Sequence, residues 1–242
     1  MPEPQVRRAF WQGVRDGLPF LIVVAPFGML FGALAAEAGW SLAEIMATSF
    51  FVIAGASQFT MLQLLEENAP TLIVLATSLA VNLRMAMYSA AMVQHMGDAP
   101  LWQRALAAYF LTDQTYGAAE NRFTLQPTMS GRQKMAYFFG AAAPVCGAWY
   151  GATWIGAEVG AAIPAGIAID FAVPLTFIAL FAPSLRSVPH LAAALVSLIA
   201  ALALAWMPYS TGVLVAAGLA MFTGAGVEIW QERRTVTRAH KS

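Results

Sequence analysis

Polar residues fall in short clusters along this chain, and long apolar stretches run between them. Leu18–Ala36, Leu42–Leu65, Thr71–Met96, Met135–Ala157, Ile163–Pro183, Leu191–Met207 and Thr211–Val227 are each near the length that crosses a bilayer as a helix. Barrel strands are half as long, so helix is the expected structure throughout. Leu101–Asn121 differs: Leu106, Phe110 and Tyr116 recur at helical spacing beside Arg104, Asp113 and Glu120, which makes it amphipathic. The pattern predicts an all-α polytopic membrane protein with about eight transmembrane helices, some broken. Six follow if Leu42–Leu65 re-enters and Leu101–Asn121 lies on the surface. The eight-span version is preferred because Leu42–Leu65 is long enough to cross.

Composition agrees with the pattern. The 242 residues are 59% hydrophobic and only 11% charged, against about 25% in soluble domains. No Ser/Gly-rich linker interrupts the chain, so residues 1–242 read as one transmembrane domain with cytoplasmic tails at 1–17 and 230–242. Leu18–Ala36 exceeds a signal-peptide core and reads as a retained span despite the Ala33-Leu34-Ala35 sequence. Lys and Arg favour the cytoplasmic side. With eight spans both termini and the Arg122–Lys134 loop lie inside; Asp98 and Arg104 fall outside. Formal net charge is zero and no basic run suggests nucleic acid; the single Cys146 forms no intrachain disulfide and no Cys-rich metal site.

Three charges fall well inside apolar segments: Arg84, Asp113 and Asp170. An ionisable group at that depth is costly and marks a candidate functional site. Arg84 sits near the middle of Thr71–Met96, with Tyr88 one turn along on its face and Asn82 about 200° away. The expected arrangement has Arg84 and Tyr88 lining a cavity where Arg84 meets a carboxylate, from a substrate or from Asp113; the alternative is a structural Arg–Asp pair. Asp113 stands in the polar cluster Thr112–Tyr116. Asp170 precedes Pro174 by four residues, and a proline there frees the carbonyl of Asp170 from its helical bond. Both acids are proton-coupling or charge-pair candidates. Ala54-Gly55-Ala56-Ser57-Gln58-Phe59 is small and polar in mid-segment; unwound, it offers backbone N–H groups and the Gln58 amide to a small zwitterion. Pro26, within Pro26-Phe27-Gly28, is a second candidate helix break beside Pro174. Gly28/Gly32, Gly147/Gly151 and Gly156/Gly160 are spaced for close helix packing. Pro26-x-Gly28-xxx-Gly32 also echoes Pro144-xx-Gly147-xxx-Gly151, which suggests a parallel four-plus-four repeat.

No phosphate-cradling Gly loop, HExxH or Gly-x-Ser-x-Gly occurs. No cofactor, metal or enzymatic activity is expected, and a secondary transporter is favoured. The alternatives are a channel or structural subunit, and an intramembrane hydrolase using Asp113 and Asp170 as a catalytic pair.

Five ordered motifs carry a family resemblance: Pro26-Phe-Gly28 with Phe31-Gly32, Ala54-Gly-Ala-Ser-Gln-Phe59, Val81-Asn-Leu-Arg84, Leu111-Thr-Asp113, and Ile169-Asp-Phe171 with Pro174-Leu. From Gly17 to Pro183 the chain resembles the AzlC family of branched-chain amino acid exporters, the azaleucine-resistance family. It departs at Met85, where the family usually has His, and at Gln114, where it has an acid. The resemblance implies export of Val, Leu, Ile or similar amino acids from a bacterial inner membrane, with a small AzlD-type membrane subunit as partner. Substrate binding is expected at Gly55, Ser57, Gln58, Asn82, Arg84 and Tyr88, and Phe59 and Phe171 are expected to receive the aliphatic moiety.

Overall fold

The computed structural model describes residues 4–160, 185, 187–208 and 211–239, with side chains to residue 231 in the last stretch. Asp170, Phe171 and Pro174 lie outside them. Among the described residues every regular element is a helix. In order these are α1 (Pro4–Gly17), a 3-10 turn (Leu18–Phe20), α2 (Leu21–Glu37), α3 (Leu42–Phe51), α4 (Gly55–Glu66), α5 (Thr71–Met96), α6 (Leu101–Tyr109), α7 (Asp113–Leu125), α8 (Gly131–Gly160), α9 (Val188–Ala203) and α10 (Thr211–Ala239). Pro4–Glu37, Thr71–Met96 and Thr211–Gln231 are both long and apolar enough to cross a membrane.

The helices form two compact units. The first comprises residues 1–62 and 81–172 and carries α1–α3, the start of α4, most of α5 and α6–α8. The second comprises 63–80 and 173–242, including α9 and α10, which pack on each other.

The spine of the first unit is a seam between α1–α2 and α8. A Cβ added to Gly13 would lie 2.1 Å from the Tyr137 carbonyl oxygen; one on Gly32 would lie 2.1 Å from that of Thr153. From the other side, Cβ atoms on Gly140 and Gly156 would lie 2.0 Å from the Phe10 and Met29 carbonyls, and one on Gly160 would meet Ala33. Only residues without a side chain permit backbones this close. Contact partners rise together in number, Phe10 with Gly140 through Ala33 with Gly160, so α1–α2 and α8 run parallel. The expected pairs Gly28/Gly32 and Gly156/Gly160 lie in the seam. Gly147 and Gly151 face open space instead.

Pro26 does not break a helix. It lies inside α2, which continues through it; the ring removes one N–H donor, and packing on α8 holds the remainder. The irregularity comes earlier, at the 3-10 turn containing Pro19. Residues 4–17, expected as a tail, are helical, with Ala9, Gly13 and Gly17 buried.

Leu42–Leu65 and Leu101–Asn121 are not single helices. Each is two short helices around a break, and each half is too short to cross hydrocarbon. In the first, β-branched Val52 and Ile53 leave the helix, with Val52 at φ −128° and ψ 85°. In a straight helix Ser49 and Gln58 would be about 13.5 Å apart along the axis, yet Gln58 Nε2 donates to Ser49 Oγ at 3.1 Å. The chain therefore folds back. Gly55 abuts Phe27, and the Phe59 ring meets Phe27 and then Phe31, so α4 runs in the direction of α2 and α3 against it.

The second hairpin repeats this plan against α5. Arg84 and Tyr88 meet Asp113, Tyr88 meets Tyr116, and His95 meets Glu120 and Phe123. The numbers rise together, so α7 runs parallel to α5, and α6 runs back between them. Against α8 the order reverses: Phe110 meets Phe139, Ala118 meets Tyr137 and Phe123 meets Lys134. Hence α5 opposes α2 and α8. The internal repeat is an inverted one, a long helix plus hairpin at 21–66 and again at 71–125, rather than the parallel repeat suggested by the Pro/Gly echo. It also places the end of α5, with His95, beside Lys134. In the eight-span arrangement those two residues lie on opposite sides.

Candidate functional site

The tips of both hairpins meet. The Tyr109 hydroxyl, at the end of α6, donates to the Phe50 carbonyl oxygen near the end of α3 at 2.5 Å. It also lies 3.1 Å from the Tyr150 hydroxyl, and Tyr150 stacks on Phe50 with ring centroids 4.4 Å apart. A C-terminal helix carbonyl lacks an intrahelical partner, and here the other hairpin supplies it.

Beside this tie the second break builds a polar centre. Thr112 caps α7: its hydroxyl accepts from the Thr115 N–H, and Thr115 Oγ1 accepts from the Thr112 N–H at 2.7 Å. The cap places Asp113 in the first turn, where the helix dipole favours a negative charge. Asp113 Oδ2 pairs with Arg84 Nη1 at 3.1 Å, and its Oδ1 accepts from the Tyr88 hydroxyl at 3.0 Å. Tyr88 stacks on Tyr116 at 4.2 Å and 10° between planes. The Arg84 and Asp113 side chains retain 26% and 37% exposure, so the pair is reachable from outside the protein. Arg84 Nε is buried without a hydrogen-bond partner.

The first break builds a second polar locus. Ser57 and Gln58, in the first turn of α4, are 1% and 0% exposed. Gln58 Oε1 has no partner, and neither do the buried Trp149 Nε1 and Thr153 Oγ1 on α8. Gly55 permits the close approach: a Cβ there would lie 2.7 Å from Phe27 and 2.9 Å from Trp149. Phe27, Phe31, Phe59 and Trp149 form an aromatic cluster with centroids 4.8–6.3 Å apart. The structure thus brings Arg84, Tyr88 and Asp113 together and holds Gly55, Ser57 and Gln58 in a separate group. Asn82 joins neither by any bond, and its Oδ1 is buried and unpartnered. Tyr109, Trp149 and Thr153 enter from the structure. Only the Thr112 cap had a readable signal, a Thr three residues before another hydrogen-bonding side chain.

A third network lies where α1, α7 and α8 meet. Asp16 Oδ2 accepts from Arg122 Nη2 at 2.5 Å and from the Tyr137 hydroxyl at 2.7 Å. The helix Pro4–Glu37 is about 51 Å long, well beyond the about 30 Å of hydrocarbon, so it cannot lie wholly within it, and its first half, with Arg7, Arg8, Arg15 and Asp16, carries most of its charges. Burial alone would raise the Asp16 carboxyl, but the bonds from Tyr137 and Arg122 outweigh it and hold the group below its ordinary value.

The apolar helices, paired helix breaks and partly exposed charge pair at mid-helix are those of a helical membrane protein, and they are consistent with a membrane transporter. Residues 19–163 match the family model described as AzlC protein, and the chain belongs to the AzlC family. It is 28% identical to the inner membrane protein YgaZ of Escherichia coli over 90% of each chain. It is 27% identical to an uncharacterized membrane protein of Archaeoglobus fulgidus over 87% of this chain and 91% of that one. A Helicobacter pylori membrane protein is 32% identical over 44% of this chain. No solved structure matches.

Proposed function

We propose that the protein is a secondary transporter that exports branched-chain or related aliphatic amino acids across the bacterial cytoplasmic membrane, coupled to protons. The observation that carries the reading is the Arg84–Asp113–Tyr88 centre. It lies near the midpoint of a bilayer-length helix, at the N-terminus of a half-helix, and remains reachable. An amino acid carries the complementary pair of charges. Its carboxylate replaces Asp113 on Arg84, its ammonium takes Asp113, and Tyr88 donates to whichever carboxylate is present. When no substrate is bound, Arg84 and Asp113 satisfy each other, so the empty site carries no isolated charge. Protonation of Asp113 releases Arg84, which links substrate and proton. The aromatic cluster with Phe59 receives the aliphatic end, Gly55, Ser57 and Gln58 offer polar contacts to the zwitterion, and Asn82 supports the site from the opposite face of α5. No chemistry is performed on the cargo, so the protein is not an enzyme.

The helix directions support a topology with both hairpins re-entrant and both termini cytoplasmic, six crossings in all. Arg104 and Asp98 then join Arg122 and Lys134 on the cytoplasmic side, and only Arg84 among the basic residues sits at depth. A small AzlD-type membrane subunit completes the active unit.

The test is efflux of preloaded radiolabelled leucine and valine from cells producing the chain with and without that subunit. Saturable efflux that stops with a protonophore, and in Arg84→Ala, is expected. Non-saturating flux would make the protein a channel, and no flux of either amino acid with the subunit present would remove the substrate assignment.

A further inference from the structure

Among the cavities away from the proposed transport site, one lies in the first unit. It measures about 350 Å³ and lies between the last turns of α5, α6 and the start of α8. Met92, Val93, Met96, Leu111 and Met135 make it apolar, and Arg104 supplies its one charge. No acidic side chain is among its lining residues, so an ammonium would find no partner there. The cavity suits an anionic head on an apolar body rather than a zwitterion.

Its position narrows the ligand. Val93, Leu101 and Trp102 around it are exposed on the outer surface of the helices, where a membrane protein meets lipid, and Trp is favoured at the headgroup level. Arg104 Nη1 donates to the carbonyl of Gly97, the residue just after α5 ends, at 3.2 Å. The side chain therefore reaches back from α6 toward the helix ends, as long basic side chains do near a membrane surface. Among the described residues no carboxylate pairs with it, which leaves the remaining guanidinium donors for a phosphate.

We propose that this groove holds an acyl chain of an anionic phospholipid from the leaflet at the α5 C-terminus, with the headgroup phosphate on Arg104. The chain lies along Met92, Val93 and Met96 and packs on Leu111 and Met135. The lipid then covers the outer face of the second hairpin, whose inner end carries Asp113.

The test uses the full-length protein purified from nanodiscs of mixed phosphatidylglycerol and phosphatidylcholine, with co-purifying lipid measured by native mass spectrometry. The wild type should retain the anionic lipid about fivefold over the zwitterionic one, the worth of one basic residue at an anionic surface. Arg104→Gln should abolish the preference and Arg104→Lys preserve it. Ala108→Trp, which fills the groove and leaves Arg104 in place, should release both lipids and keeps the test decisive if Arg104→Gln does not fold. Equal retention of the two lipids by the wild type would overturn the proposal, as would a preference that survives both Arg104→Gln and Ala108→Trp.

Discussion

Arg84 was legible as a candidate because a guanidinium in the middle of an apolar helix is costly and needs a partner, structural or functional, and Tyr88 followed from one turn of helical spacing. Its partner was not legible. Two acids lay in apolar segments, and only the fold brings Asp113 to Arg84 through Nη1 at 3.1 Å. The same limit applies to Gln58, whose partner Ser49 lies across a break the sequence placed a few residues late. The pair makes a direct prediction. Removing either charge alone leaves the other unpaired, at a cost below the about 3–5 kcal/mol of a fully buried pair, since both ends are partly exposed. Arg84→Ala and Asp113→Ala should each lower the thermal midpoint and stop transport. The double variant should recover the midpoint and not the transport. Export retained by Asp113→Ala would remove the carboxylate from the site.

At the scale of elements, glycine spacing foretold close packing but not which face does the packing. Gly28/Gly32 and Gly147/Gly151 share a spacing, yet only the first lies in the seam, because the apolar character of α8 extends round most of its circumference. Gly32→Val should therefore push α2 off α8 and cost about 1–3 kcal/mol or more. Gly151→Ala should be neutral or gain a few tenths of a kcal/mol from helix propensity. Unfolding of both in detergent checks this, and equal effects would contradict the seam. The Asp16 network sets a pH dependence. A carboxyl held below its ordinary value stabilises the fold above the unfolded-state pKa of about 3.9, and that contribution disappears as pH falls through the folded value. Asp16→Asn should cost no more than about 1 kcal/mol of stability near pH 7, as suits a partly exposed pair. It should also lose the part of the acid-induced fall that begins near pH 4. An unchanged acid limb would assign it to other carboxyls.

For the whole molecule, the helical membrane class was plain from apolar runs alone, while the path of the chain was not. Run length cannot separate a span from a hairpin of two half-length helices, and Leu42–Leu65 is long enough for either. Helix direction decides, and it emerges only from which residues touch. The two arrangements part at Asp98, outside with eight crossings and cytoplasmic with two re-entrant hairpins. Asp98→Cys should resist an impermeant maleimide added to intact cells, as Met129→Cys does, while Trp40→Cys reacts; the native Cys146 is buried and stays silent. Labelling of Asp98→Cys in intact cells would restore the longer path.

The tyrosine tie has a direction. A phenol carries one proton, and that of Tyr109 goes to the Phe50 carbonyl. Tyr109 can therefore only receive from Tyr150, and the three groups form an arrow from α8 through one hairpin into the other. Loss of the Tyr150 oxygen clips the tail of that arrow and leaves the hairpins joined. Loss of the Tyr109 oxygen strands a carbonyl and a phenol at once, so the two conservative Tyr→Phe changes, alike on paper, are unequal in the protein.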